Sequence, residues 1–136
     1  MPKRRRGARS ANCRPAVRHV PFEVLVDRAL ATIPDPFRAA LDEVAVVVDD
    51  DVSADQRREN GLSPDEDLYG LYEGVPRTEY GADWASGPNR ITLFRLPLEA
   101  DFPDPRDLAE EVRITVIHEL AHHLGIDDDR LEELGV

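Results

Sequence analysis

The sequence predicts a single α+β domain in which one long, largely buried helix packs on a small mixed β-sheet. Three observations carry that reading. The chain has 136 residues, enough for one hydrophobic core and little more. Val44-Ala45-Val46-Val47-Val48 is an unbroken run of mostly β-branched residues closed by three aspartates. Residues Pro105 to Leu124 carry the start and stop signals of one helix, with apolar residues around most of its circumference. The expected organisation is a basic, disordered tail over residues 1–20 and a folded domain over residues 21–136.

Taken in order, the tail holds Lys3, Arg4, Arg5, Arg6, Arg9, Arg14 and Arg18 and no acid, a charge of +7 that leaves −18 on the remainder against a net −11. No apolar stretch of a secretory signal follows these arginines. Phe22, Leu25, Val26, Ala29, Leu30 and Ile33 then recur at helical spacing up to Pro34. Asp35 and Pro36 stand where an N-cap and a first-turn proline open a short helix over Phe37 to Leu41. The valine run that follows lacks polar alternation, which predicts a central strand covered on both faces.

From Val52 to Asp67 the polar composition, with Asn60-Gly61 and Ser63-Pro64, predicts a surface loop. Leu68 to Gly74 predicts a short strand. Val75 to Asn89 is irregular, and Arg90 to Arg95 resumes β character until Pro97. Asp104-Pro105 supplies a cap and a first-position proline, Asp107, Glu110 and Glu111 load the first turns with acid, and Gly125 ends the helix.

Composition excludes several classes. No apolar run approaches the roughly 18 to 20 residues of a membrane-spanning helix, so no membrane role is expected. Cys13 is the only cysteine, which rules out an internal disulfide and fits a reducing, cytoplasmic location. An acidic body argues against nucleic-acid binding, except for weak contact through the basic tail.

Within the long helix lies His118-Glu119-Leu120-Ala121-His122, an H-E-x-x-H pattern. At about 100° per residue the two imidazoles differ by only about 40° around the axis and can reach one ion, while Glu119 lies to the side. That arrangement suits metal-assisted hydrolysis, in which Zn²⁺ acidifies a water and Glu119 moves its proton. A left-handed Gly125 would turn the chain back and offer Asp128 as the third ligand, with Glu132 and Glu133 as competing carboxylates. Asp127, Asp128 and Asp129 also have the placement of caps for a final segment, Arg130 to Leu134.

The resulting H-E-x-x-H-x-x-G-x-x-D pattern resembles the zincins, specifically metzincin-like variants with Asp in place of the third His. Together with Val44 to Asp50, Leu71 to Pro76 and Arg90 to Arg95, it is similar to the small bacterial zincin-like metallopeptidases over roughly residues 22–136. That resemblance implies a minimal zincin fold, one zinc per chain on two His and one Asp, and a peptidase acting on peptides or unfolded protein. A methionine turn beneath the metal is not expected, because Met1 is the only methionine.

His123 should point away from the metal, toward neighbouring side chains or solvent, and His19 receives no role. Tyr69, Tyr72 and Tyr80 are candidate oxyanion donors as well as candidate packing residues. Trp84 reads as a loop anchor. Substrate is expected to pair along an exposed strand edge, with Arg90 to Arg95 as the candidate. The competing functional reading is a zinc-stabilised binding or regulatory module without turnover.

Overall fold

A computed structural model describes residues 3–4, 20–74 and 89–134. The elements run β1 (Lys3–Arg4), α1 (Phe22–Ala31), α2 (Phe37–Leu41), β2 (Ala45–Asp49), α3 (Ala54–Glu59), β3 (Leu68–Glu73), β4 (Arg90–Phe94), α4 (Arg95–Asp101), α5 (Pro105–Leu124) and α6 (Asp128–Glu133). The fold is α+β, as the sequence predicts. Its sheet is mixed, in the order β1-β3-β4-β2, with β2 parallel to β4 and the other pairs antiparallel.

The helix α5 organises the domain. Asp104 caps its first turn by accepting a hydrogen bond from the Arg106 N–H, and Pro105 occupies the first helical position. At the other end Gly125 is left-handed, with φ 72°, and the Ile126 N–H reaches back to the Ala121 carbonyl at 2.8 Å. Between these ends Leu108, Val112, Val116, Ile117, Leu120 and Ala121 are buried against α1 and the sheet residues Ile91 and Leu93 in one cluster. A second, smaller cluster joins Val52, Leu68, Leu71 and Phe94.

Two strand assignments change. The valine run forms β2, but among the described residues β2 hydrogen-bonds only β4 and its residues are partly exposed, so it is an edge of the described sheet and not the centre. Continuous β-branching reports strand propensity and cannot count neighbours. The segment over Arg90 to Arg95 is the inner strand, paired on both sides as β4, and therefore offers no edge to a substrate. Of the segment expected to be a tail, Lys3 and Arg4 are described, and they pair with β3, Lys3 opposite Gly70.

Two short helices were not anticipated. In the stretch read as a loop, Ser53 and Gln56 form a capping box that starts α3. Pro97 ends the β character as expected, but it sits in the first turn of α4, where its missing N–H breaks no helical bond. The short α2 covers Phe37–Leu41 as expected, but Pro36 rather than Asp35 stands at its N-cap, with no side-chain cap.

Candidate metal and proton-transfer site

Along α5 the buried polar residues are Glu111, Thr115, Glu119 and His123, spaced four apart. At that spacing they form a slowly turning stripe on one side of an otherwise apolar helix. The helix can press this stripe against β3 because β3 has no side chain at Gly70. A Cβ there would stand 2.6 Å from Thr115 Cγ2.

Glu119 is fully buried, and both its oxygens accept backbone hydrogen bonds. Oε1 accepts from the Tyr72 N–H of β3 at 2.8 Å, and Oε2 accepts from the Lys3 N–H of β1 at 2.9 Å. Burial pushes the carboxyl up to about 8, and the two N–H groups oppose that shift by stabilising the ionised form. A carboxyl poised in this range can both take and give a proton near neutral pH.

His118 and His122 lie one turn apart on α5 beside this stripe, both half-buried. The Nδ1 of His122 is 3.8 Å from Glu119 Oε1. Burial, aided by His118 and opposed by Asp128, lowers His122 to about 4. Both His118 and Asp128 are thus near enough to act on it electrically. The neutral imidazole favoured here is the form that binds a metal. Asp128 stands exposed in the first turn of α6, after the Gly125 turn, and Asp127 rather than Asp128 caps that helix through the Arg130 N–H. Among the described residues, no three His, Cys, Asp or Glu side chains close around a common point. The donor set of two imidazoles and a nearby carboxylate nevertheless fits a zinc ion chemically. Glu133 is paired with Arg130, and Glu132 is exposed on the same helix.

The remaining candidates separate clearly. Tyr69 donates its hydroxyl to the buried Asp101 at 2.6 Å and packs edge-on against Phe102, a core role. Tyr72 donates its hydroxyl to Asn89 at 2.9 Å and meets His123 Nδ1 at 3.2 Å. The Nε2 of His123 lies 2.5 Å from Glu43. His123 is therefore buried and links the segment just after α2 to β3 and α5. The backbone N–H of Tyr72, not its hydroxyl, is its contact with Glu119. That role leaves no trace in residue type and was not anticipated. Tyr80, Trp84 and His19 lie outside the described residues. A surface hollow between α1 and α2, lined by Asp27, Asp35, Arg38 and Asp42 among others, shares no residue with this site.

The motif-bearing helix, its glycine-ended turn and the adjoining strands coincide with a family match: the model for zincin-like metallopeptidases covers residues 41–136. The chain belongs to that family. The match spans β2 through α6 and so takes in every residue of the candidate site except Lys3. Membership connects the zincin-like domain with zinc and with proteolysis in general terms. No curated protein matches the chain. No helix among the described residues is long and apolar enough to cross a membrane.

Proposed function

We propose that this zincin-like domain hydrolyses peptide bonds, with one zinc per chain held by His118, His122 and Asp128 and with Glu119 as the proton carrier. The observation that carries the reading is the placement of Glu119: fully buried beside the histidine pair, with its oxygens turned to the backbone N–H groups of Tyr72 on β3 and Lys3 on β1. Zinc in that site supplies polarisation of the scissile carbonyl and acidification of the attacking water.

The protein's own groups do the rest. The Tyr72 N–H fixes one oxygen of Glu119, and the second oxygen faces β1, whose place beside β3 an extended peptide would take by displacing it. Glu119 takes the proton of the attacking water and passes it to the nitrogen that leaves. Burial lifts its proton affinity far enough for that return step to occur near neutral pH. The left-handed Gly125 turns the chain beyond the helix end, the side from which Asp128 would complete the set.

The test is cleavage of an unstructured peptide mixture by the zinc-loaded chain, beside Glu119→Gln. Loss of at least about 100-fold in rate with zinc retained supports the assignment, given the usual size of general acid–base contributions. Undiminished cleavage by the variant removes Glu119 from the mechanism.

A further inference from the structure

The pairing of Lys3 with the site has a chemical specificity that proton transfer alone does not require. The contacts of Lys3 with the described residues include three that bear on the site. Its backbone pairs with Gly70 on β3, and its N–H donates to Glu119 Oε2 at 2.9 Å. Its ammonium lies 3.8 Å from Oε1 of Glu111, two turns earlier on the same polar stripe. Both side chains are shielded from water, Lys3 at 14% exposure and Glu111 at 3%. A buried carboxylate in this position favours a cationic side chain over a neutral one of the same length.

The proton carrier must reach the nitrogen that leaves, and the N–H that the strand beside β3 offers to Glu119 is that of Lys3. We propose that the place Lys3 occupies between β3 and Glu111 is a subsite for a lysine residue immediately following the scissile bond, and that the chain's own Lys3 fills it as an internal competitor. This rests on the peptidase reading and adds its specificity. Glu111 is the specificity-determining residue, one turn before Thr115, which the bare Gly70 lets α5 press against β3.

The experiment uses the full-length chain carrying Lys3→Glu, whose new charge is repelled by Glu111. The probes are a fluorescent peptide Met-Pro-Lys-Ala-Ala-Ala and the same peptide with norleucine in place of lysine, followed by anisotropy. The lysine peptide should bind Lys3→Glu at least about 10-fold more tightly than wild type, and at least about 10-fold more tightly than the norleucine peptide does. Glu111→Gln in the same background should erase the preference between the peptides. The pair ranked on the wild-type chain must give the same order, because self-occupancy weakens both equally; this keeps the test decisive if a variant fails to fold. Equal affinity for the two peptides, or no gain from Lys3→Glu, overturns the proposal. Hydrolysis separates the two readings. Selective binding without cleavage by the zinc-loaded chain sustains the subsite and defeats the peptidase. Cleavage of both peptides at equal rates does the reverse.

Discussion

Substituting Gly70 by alanine tests how the fold builds the site, and its cost can be worked from one distance. The added Cβ would lie 2.6 Å from Thr115 Cγ2, well inside contact distance, while its next neighbours, the Thr92 carbonyl oxygen and Leu93 Cδ2, stand at 3.4 and 3.7 Å. Thr115 is fully buried and β-branched, so its methyl cannot swing aside freely. Overpacking of this kind costs about 1–3 kcal/mol. The backbone at Gly70 is not left-handed, so alanine itself is tolerated there and returns about 0.4–1 kcal/mol by restricting the unfolded chain. A net loss of about 1–2 kcal/mol is expected, roughly 3–8 °C in Tm for a chain of this size. Urea unfolding of wild type, Gly70→Ala, Thr115→Ser and the double variant measures it. Thr115→Ser removes the colliding methyl, so the double variant should recover at least about 1 kcal/mol relative to additivity. Wild-type stability in Gly70→Ala, or strict additivity in the cycle, would refute the claim that the missing side chain lets α5 seat against β3.

Other consequences can be checked separately. Tyr69→Phe strips a hydroxyl from the buried Asp101 and should cost about 1–3 kcal/mol in the same denaturation assay, with zinc content unchanged. Ser53→Ala removes the cap of α3 and should cost about 1 kcal/mol, with no effect on peptide cleavage because α3 carries no site residue. Zinc added to metal-free chain at about 1,000 times its dissociation constant should stabilise the fold by about 4 kcal/mol in calorimetry, and His118→Ala should abolish that gain.

The most legible part of the molecule was α5, because its cap, terminal glycine and apolar periodicity are local signals that tertiary packing reinforced. The H-E-x-x-H pattern placed His118 and His122 on one face for the same reason: helical geometry follows from spacing alone. The sheet order was not legible. The valine run of β2 and the mixed pattern of β4 differ in propensity, yet strand order depends on which edges meet, a non-local matter. The capping box at Ser53 and Gln56 was readable but stood in a segment whose polar composition masked it. The hold on Glu119 was out of reach, since it depends on the main-chain N–H groups of Tyr72 and Lys3, which every residue but proline carries. His123 was expected to lie off the metal face, toward neighbouring side chains or solvent; it is buried, and its bond to Glu43, 80 residues away in sequence, could not be foreseen.

The central claim is that this domain is built to hold zinc beside Glu119, and metal content tests it most directly. Purified full-length chain, reconstituted with zinc and freed of loosely bound ion, would be analysed by elemental mass spectrometry beside Asp128→Ala. The account predicts about one zinc per wild-type chain, with the ion lost or held far more weakly in the variant. A wild-type chain that retains no zinc after reconstitution, or an Asp128→Ala chain that retains it undiminished, would contradict the proposed site.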